Sequence, residues 1–471
     1  MRVVVIGAGM VGARFAEDLI SQDAEGRITV TVLKGEPGPS YNRVLLSDVV
    51  SGRASVESIM TEPMEHPRLR WVSSPAAAVD RADRVVFDAG GGRHRYDFLV
   101  FATGAEAVVP QWSALREGRP EGLHVLRSLS DATSIVEAAA NARHATVVGG
   151  GVLGLEVATG LSDRRLQVDM VHPVDSVMHR QLGAIAGGVV GETIGELGIG
   201  RHFGTTVRDL VCVSGRVVAV TLSDGRSLDT DCVVVTAGTA PRTALAASCG
   251  LPIDRGIVVG ADLASPRDRR VFAIGDCAAP PEGGAGLVAQ GWAQADRLAS
   301  RLLRRLPAPE TAAPSLRDDV VKVKSRGLDV VTMGITGESS REANDRVITL
   351  SDPTAGRHVE IITRSGRLIG ATCIGAGDLA TRLVVTYTRG EMMPTDPAHV
   401  MLPIRQAQEA STDLVCRCSG VGRRDIAAAI DAGAASLREV SAATRAGTGC
   451  GGCRDEVCAI LADLTVVSAN A

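Results

Sequence analysis

Two stretches of the chain show the same order of apolar and small residues. In each, a short apolar run leads into three glycines and then into a segment with helical spacing, at residues 2–12 with 13–21 and at residues 145–154 with 155–163. Short uninterrupted apolar runs are typical of strands buried on both faces of a parallel sheet. A second apolar run follows each stretch, at 28–33 and at 168–172. The pattern therefore predicts two strand–turn–helix–strand units.

Other apolar runs extend this pattern. Strands are predicted at residues 98–101, 232–235 and 271–274, each followed by small residues. Alternating apolar residues from 320 to 374 predict a small sheet, and the spacing from 379 to 388 predicts a helix. The remaining segments are predicted as a linker rich in Pro, Ala and charge, a polar connector and two short amphipathic helices: residues 304–318, 407–413, 426–430 and 437–443.

Composition narrows the class of protein. The chain has 471 residues, of which 45% are hydrophobic and 22% charged, and its formal net charge is −4. A nucleic-acid-binding protein would need a basic face, so we expect no nucleic-acid partner. No apolar run reaches the ~18–20 residues of a membrane span, and strand-like residues follow the first methionine directly, unlike a signal peptide. We therefore expect a cytoplasmic protein that binds no membrane.

The first glycine-rich turn predicts a dinucleotide site. Gly7 would make the tight turn, Gly9 would let the backbone approach a pyrophosphate, and Gly12 would let the helix lie close to the strand. The N–H groups and positive dipole at the helix start would then bind the phosphate charge. An acidic residue after the second strand should bind a ribose hydroxyl. Glu36 is the candidate, although Lys34-Gly35 stand where the acid is expected.

Two further turns indicate that the first dinucleotide is FAD. The strand at 98–101 runs into Thr103-Gly104, and the strand at 271–274 runs into Gly275-Asp276. A carboxylate at 276 can accept a hydrogen bond from the ribityl chain of a flavin. A helix predicted to begin near 287–288 would direct its positive N-terminal dipole at the flavin pyrimidine ring. With the first glycine turn, these features predict bound FAD.

The second glycine-rich turn repeats the phosphate-binding pattern for a nicotinamide dinucleotide. Its glycines are Gly149, Gly151 and Gly154, and the strand at 232–235 ends in a small-residue turn at Gly238. Glu156 is expected near the start of the following helix, where it would either complement the helix dipole or face the nicotinamide. The second strand ends in His172, with no acid for a ribose diol and no adjacent arginine for a 2′-phosphate. We favour NADH and leave NADPH open.

The cysteines are concentrated near the C-terminus. Cys416 and Cys418 form one close pair and Cys450 and Cys453 another, a ligand set that suits either tetrahedral zinc or a [2Fe–2S] cluster. No cysteine pair that could react with a flavin lies between residues 1 and 211. A hydride-reduced flavin needs a one-electron outlet, and zinc has no redox chemistry, so we assign the four cysteines to a [2Fe–2S] cluster. A structural zinc module and a regulatory tail are the alternatives.

The residues around these sites resemble a known family. The segment Gly7-Ala-Gly-Met-Val-Gly-Ala-Arg-Phe15, followed by Tyr41-Asn-Arg-Val-Leu-Leu-Ser47, resembles the flavin half of the NAD(P)H-dependent assimilatory nitrite reductase large subunit. It also resembles the electron-transfer subunit of assimilatory nitrate reductase. The stretch Thr444-Arg-Ala-Gly-Thr-Gly-Cys-Gly-Gly-Cys453 is similar to the bacterioferritin-associated-ferredoxin-like [2Fe–2S] domain that follows that flavin module. The resemblance covers nearly the whole chain and implies a cofactor-binding role for Arg43.

The resemblance also implies a destination for the electrons. Nitrite reductase large subunits continue into a sirohaem and [4Fe–4S] domain, whereas this sequence stops at Ala471. We therefore expect the chain not to reduce nitrite itself but to deliver electrons to a redox partner, the catalytic subunit of a molybdenum nitrate reductase. Ferredoxin and rubredoxin reductases of oxygenase systems resemble the same body and are the second interpretation. They usually carry Arg-Pro and a lysine near the flavin, where this chain has Arg43-Val44 and Ser47-Asp48, and they usually lack the cysteine tail.

The predicted fold class is α/β. It combines two Rossmann-like dinucleotide-binding domains, arranged as in a glutathione-reductase-like flavoprotein, with a small α+β domain and a small helical [2Fe–2S] domain. The expected boundaries are 1–113 and 240–303 for the two parts of the FAD domain, 114–239 for the NAD(P) domain, 319–405 for the α+β domain and 412–471 for the cluster domain.

Overall fold

The computed structural model describes residues 1–284, 286–303, 319–336, 341–394, 414–416 and 419–469. The predicted linker at 304–318 and connector at 407–413 lie outside the described residues. The chain divides into two compact units: Met1–Arg43, Glu57–Glu106 and Thr239–Asp318 form the first, and Val44–Val56, Ala107–Gly238 and Asp319–Ala471 form the second.

The first unit is built on a five-stranded parallel sheet. In spatial order its strands are Val271–Ala273, Phe98–Phe101, Arg2–Ile6, Thr29–Leu33 and Leu69–Val72. The apolar run predicted as the first strand is its central strand, and Val3 to Ile6 are buried. The helix Met10–Gln22 follows directly and places Phe15 and Leu19 in the same hydrophobic core. This is the doubly wound arrangement that the sequence predicts.

The remaining elements of the first unit are short, apart from one long helix. Val288–Leu302 forms that helix and begins at the predicted position. A three-stranded antiparallel sheet consists of Ala76–Asp80, Val85–Asp88 and Arg93–Arg95. Two small strand pairs are Ser40–Tyr41 with Met60–Thr61 and Ile257–Val258 with Ala278–Ala279. Short helical turns and strands complete the set: Val56–Ile59, Ala105–Ala107, Thr239–Pro241, Ala244–Ser248 and Gly275–Cys277.

The second unit contains a parallel sheet of the same design. In spatial order its strands are Leu123–Val125, Cys232–Val235, His144–Val148, Gln167–His172 and Gly200–Phe203. Its larger elements are the helices Leu129–Asn141, Val152–Asp163 and Ala184–Glu196 and the antiparallel strands Val207–Val213, Arg216–Leu222 and Ser227–Asp229. Two short helical segments are Leu46–Ser51 and Ser113–Glu117, and a third, Arg43–Leu45, begins at the last residue of a first-unit segment. The prediction of two Rossmann-like sheets is confirmed.

Both helices that follow a glycine turn begin earlier than predicted. The first starts at Met10 and the second at Val152, three residues before the predicted starts at 13 and 155. The reason is that Gly9 and Gly151 are the N-cap residues, so each turn uses only three residues between strand and helix. The helix N–H groups therefore lie closer to the sheet edge than the sequence pattern indicates.

The alternating stretch after residue 320 forms an antiparallel sheet. Its strands in spatial order are Val321–Lys322, Val330–Gly334, Arg367–Ile374, Arg357–Arg364 and Arg346–Asp352, with a short turn at Pro353–Ala355. The helix Gly377–Arg389 supplies Leu383, Val384 and Tyr387 to the core beside this sheet. The predicted sheet and helix are both present.

The cysteine-rich segment has its own small core. The strands Leu414–Cys416 and Val421–Gly422 pair, and three helices follow at Arg423–Asp431, Leu437–Thr444 and Arg454–Ala469. Val415, Ile426, Val440 and Val457 fill the core between these elements. The two predicted amphipathic helices are therefore confirmed. Within the part of the chain that the structure describes, no helix is both long enough and apolar enough to span a membrane.

Candidate functional site

The first glycine turn is fixed by the protein's own backbone at two of its three glycines. Gly7 has φ +114°, and a Cβ there would overlap the carbonyl oxygen of Ala102. A Cβ at Gly12 would overlap the carbonyl oxygen of Gly7. A positive φ and these backbone overlaps admit only glycine. The turn is thus in backbone contact both with the end of the neighbouring strand and with the start of the helix.

Gly9 differs from the other two glycines. No atom lies within 4 Å of the position where its Cβ would be, and its φ of −71° is one that any residue adopts. Contacts within the protein therefore do not require a glycine here. A pyrophosphate lying against the backbone N–H groups of the following helix would require one, because a side chain would occupy the phosphate position. The turn fits a dinucleotide.

The other residues predicted to bind FAD lie at the same edge of the sheet. The strands Arg2–Ile6, Phe98–Phe101 and Val271–Ala273 are parallel neighbours, so their carboxyl ends carry Gly7, Thr103-Gly104 and Gly275-Asp276 side by side. The hydroxyl of Thr103 donates to Arg242 O at 2.7 Å. The N–H of Gly275 donates to Gln294 Oε1 at 2.7 Å, which joins this turn to the helix Val288–Leu302.

Glu36 and Arg43 were predicted as two separate cofactor-binding residues, and in the structure they form an ion pair. Tyr41 Oη donates to Glu36 Oε2 and Arg43 Nη2 to Oε1, both at 2.6 Å. Burial opposes ionisation, but the Tyr41 hydrogen bond and the Arg43 charge outweigh it and lower the pKa of Glu36. Glu36 is thus an anion held by two neighbours. Tyr41 was missed as a site residue because it appears in the sequence only as part of a longer segment.

The second glycine turn has the geometry of the first. Gly149 has φ +119°, and a Cβ there would lie 2.5 Å from the carbonyl oxygen of Thr236. A Cβ at Gly154 would overlap the carbonyl oxygen of Gly149. Gly151, like Gly9, has no atom within 4 Å of its Cβ position. Gly238, with φ +107°, follows the neighbouring strand at the same edge. This turn also fits a dinucleotide.

His172 is bound to the second glycine turn. Its Nδ1 lies 3.0 Å from the N–H of Gly150 and its Nε2 lies 3.1 Å from Nδ1 of His179. Because Gly150 donates, Nδ1 of His172 must be the acceptor. Burial first, and the neighbouring His179 second, lower the pKa of His172. The residue at the end of this strand therefore contacts the turn with one ring nitrogen and His179 with the other.

Glu156 is buried in a hydrogen-bonded network within the second unit. Its Oε2 accepts from Ser47 Oγ at 2.6 Å and lies 3.4 Å from Lys324 Nζ, and its Oε1 accepts from the Lys324 N–H at 2.9 Å. Glu156 is the fifth residue of the helix Val152–Asp163, beyond the first turn where the helix dipole acts. The dipole role considered for it is not supported. Lys324 was missed because no motif marks a residue so distant in sequence.

The cysteines of the C-terminal segment lie close together where the structure describes them. Cys416 and Cys453 are buried and Cys450 is exposed. The contact with the Cys416 thiol and then burial raise the pKa of Cys453, whereas a hydrogen bond from the Gly447 N–H lowers it. Cys418 lies outside the described residues. Among the residues that the structure covers, no group of three His, Cys, Asp or Glu side chains meets the geometry of a metal site. The all-sulfur donors nevertheless suit an iron–sulfur cluster.

Two dinucleotide turns followed by a cysteine-rich module define the class of pyridine-nucleotide flavoprotein reductases. Residues 1–296 match the family model "Pyridine nucleotide-disulphide oxidoreductase", and residues 414–463 match the "BFD-like [2Fe-2S] binding domain". The chain belongs to the pyridine nucleotide-disulphide oxidoreductase family. The predicted cofactors FAD, NAD(P)H and [2Fe–2S] are confirmed by these matches.

Curated relatives cover almost the whole chain. It is 32% identical to the nitrite reductase [NAD(P)H] large subunit of Klebsiella oxytoca, over 96% of this chain and 48% of the relative. It is 27% identical to the assimilatory nitrate reductase electron transfer subunit of Bacillus subtilis, over 96% of this chain and 58% of that one. The chain thus spans about half the length of these relatives. The family resemblance read from the sequence is confirmed.

A solved structure supports the same fold. The chain superposes on a ferredoxin reductase from Rhodopseudomonas palustris with a TM-score of 0.70 and 25% identity, covering 80% of this chain and 92% of the other. The predicted glutathione-reductase-like architecture is confirmed.

The contrast between the glycines of the first turn gives a prediction. Gly9→Ala should leave the thermal unfolding of the apoprotein unchanged, because its Cβ meets no protein atom, but should weaken FAD binding by about tenfold or more, or ~1.4 kcal/mol. FAD titration of the apoprotein measures this. Gly188→Ala, also without contacts within 4 Å, is the control and should bind FAD normally. Normal FAD binding by Gly9→Ala would contradict a phosphate at this position.

A second prediction concerns the pH dependence of stability. The folded-state pKa of His172 is lowered, so as the pH falls below the ordinary value of 6.5 the unfolded chain takes up a proton that the folded chain resists. His172 therefore contributes stability above that pH and loses it below. His172→Asn keeps an acceptor for Gly150 but does not titrate, so it should lose less unfolding free energy than the wild type between about pH 7.5 and pH 5.5. Denaturant unfolding at both values measures this, and equal losses would refute it.

Proposed function

We propose that this chain carries electrons from NAD(P)H through FAD and a [2Fe–2S] cluster to a partner reductase of nitrate assimilation, the catalytic subunit of nitrate reductase. The supporting observation is that one chain holds two glycine turns of matching geometry together with the close thiols of Cys416 and Cys453. Two dinucleotides with a one-electron centre form a relay in which a hydride enters and single electrons leave.

Each site residue receives a role in this proposal. FAD is bound by residues 1–113 and 240–303, through Gly7, Gly9, Gly12, Glu36, Arg43, Thr103, Gly104, Gly275 and Asp276. NAD(P)H is bound by residues 114–239, through Gly149, Gly151, Gly154, Glu156 and Gly238. The cluster is held by Cys416, Cys418, Cys450 and Cys453 in a domain from 412 to 471, after the α+β domain at 319–405. No residue is assigned as an acid–base catalyst.

The chain's own groups position the reactants. When bound, FAD accepts a hydride and the cluster accepts one electron at a time. The glycine turns hold each pyrophosphate against the N–H groups of a helix start. Tyr41 and Arg43 hold Glu36 as an anion, which would accept a hydrogen bond from a ribose hydroxyl. The backbone of Gly447 lowers the pKa of Cys453, and N–H groups near cluster sulfurs tune the potential of a cluster.

The partner is proposed from the relatives. The electron transfer subunit of the Bacillus subtilis assimilatory nitrate reductase matches 96% of this chain, which supports nitrate reductase as the acceptor. A ferredoxin or rubredoxin is the second candidate, because the fold also matches a ferredoxin reductase. A cytoplasmic location is part of the proposal and fits Cys232, Cys277 and Cys373, which form no disulfide.

Anaerobic titration tests the relay and its direction. NADH or NADPH is added to the protein with a nitrate reductase catalytic subunit, and flavin absorbance, cluster absorbance and nitrate are followed. We expect both chromophores to bleach. Nitrate should disappear only when the partner is present. The same titration with a ferredoxin tests the second candidate. Bleaching of the flavin without the cluster, in protein that contains iron and sulfide, would refute the relay.

A variant of the cluster loop gives a matching prediction. Cys450→Ala removes an exposed ligand and should abolish electron delivery to the partner. Ferricyanide reduction by NAD(P)H should continue, because ferricyanide takes electrons directly from the flavin. Cys458→Ala is the control, since Cys458 lies on the helix Arg454–Ala469 and is exposed. If Cys450→Ala delivers electrons to the partner at the full rate, the result argues for a regulatory tail. If metal analysis finds only zinc in the tail, the relay is excluded.

A further inference from the structure

The loop between Cys450 and Cys453 lies against two segments that are distant in sequence. A Cβ at Gly451 would overlap Cδ2 of Leu45, so the backbone of this loop touches that side chain directly. A Cβ at Gly452 would lie 3.9 Å from Cδ of Lys322. Leu45 is buried, with 4% of its surface exposed. Residues 44–48 and 322–324 are called the platform below, and all of these residues belong to the second unit.

Lys324 binds the two segments of the platform to each other. Its Nζ donates to Val44 O at 2.6 Å and to Ser47 Oγ at 2.8 Å, and it lies 3.1 Å from Asp48 Oδ2. Arg53 donates both to Asp48 Oδ1 and to Lys324 O at 2.8 Å. The backbone and the ammonium of one lysine thus anchor the short helix Leu46–Ser51 to the segment that follows the strand Val321–Lys322.

The anchor is made of charges of opposite sign. Lys324 and Arg53 are cations, and Asp48 and Glu156 are anions, with the lysine side chain 15% exposed and the Glu156 side chain 5%. A largely buried set of this kind tolerates no loss of one member, because the remaining charge would be left without compensation. The platform therefore has one preferred arrangement under the cluster loop.

The contact between the cluster loop and the platform lies close in sequence to the segment assigned to FAD. The platform starts at Val44, the residue after Arg43, which holds Glu36 in the segment assigned above to FAD. The cluster loop touches the platform at Leu45, two residues after Arg43. Gly451 has φ +77°, and this backbone conformation alone explains why a glycine stands at this position. It does not explain why the side chain of Leu45 lies against the glycine. The contact therefore calls for an explanation beyond the turn.

We propose that the platform is the docking surface of the cluster loop, and that Leu45 and Lys324 are positioning residues for electron transfer from flavin to cluster. This inference rests on the proposed function. Each transfer moves one electron from reduced flavin to the oxidised cluster and breaks no covalent bond. NAD(P)H supplies the two electrons as hydride, and the partner protein removes them one at a time.

Substitution of Leu45 tests the docking surface. Leu45→Ala removes the side chain that touches Gly451, and Leu45→Met is the control that keeps its volume. After anaerobic mixing with NAD(P)H, the alanine variant should bleach its flavin at the wild-type rate. Its cluster should bleach about tenfold to a hundredfold more slowly, the scale expected when a positioned pair is displaced by ~1 Å. The methionine variant should behave as the wild type.

Hydrogen–deuterium exchange gives a readout that does not depend on turnover. Leu45→Ala should raise exchange in peptides that cover residues 447–453, and Lys324→Met should raise it in residues 44–48 as well. Exchange in residues 357–374, in the antiparallel sheet, should stay at the wild-type level and so report that the chain is folded. Iron and sulfide contents equal to wild type show that the cluster is retained.

The outcomes separate this inference from the proposed function. If the wild-type cluster is not reduced by NAD(P)H at all, the relay itself fails. If the wild-type cluster is reduced and Leu45→Ala reduces it equally fast with unchanged exchange at 447–453, the relay stands and the docking surface is refuted. Slower cluster bleaching together with faster exchange at 447–453 supports it.

Discussion

Each dinucleotide-binding sheet depends on a close backbone approach between a glycine turn and the end of the neighbouring strand. A side chain at Gly7 or Gly149 would collide with a carbonyl oxygen of that strand, and both residues have a positive φ. Because the turn is so tight, the helix begins within three residues and presents its unpaired N–H groups at the sheet edge. The phosphate position and the residues that can surround it depend on this constraint.

The second glycine of each turn is not required by contacts within the protein. Gly9 and Gly151 have no protein atom near their missing side chains, whereas the glycines on either side are forced by backbone contacts. A protein that needed only a compact strand–turn–helix could place a small side chain at these two positions. The open space occurs in the same place in both sheets and fits the proposal that a dinucleotide phosphate lies against the backbone there.

Features that depend on neighbours in sequence could be predicted, and features that depend on distant partners could not. The glycine turns, the strand at Val271–Ala273 and the helix Val288–Leu302 follow from local patterns of apolar and small residues. The helix starts were placed too late because capping by glycine leaves no side-chain signal. The partners of Glu156 could not be predicted, since Lys324 is 168 residues away along the chain and carries no motif. The predicted role of Cys418 cannot be compared with the structure, because Cys418 lies outside the described residues.

The chemistry in the family's name does not account for this chain. A disulphide oxidoreductase needs a cysteine pair that reacts with the flavin, and residues 1–211 contain no cysteine. Five cysteines lie outside the C-terminal segment, and burial raises the pKa of each thiol, which disfavours the reactive thiolate: Cys212, Cys232, Cys249, Cys277 and Cys373. In the proposed relay the sulfur chemistry that serves the flavin is therefore that of the C-terminal segment, where Cys416 and Cys453 are in contact and Cys450 is exposed. A flavin that receives two electrons as hydride and gives them up singly fits a cluster at those cysteines better than it fits a dithiol.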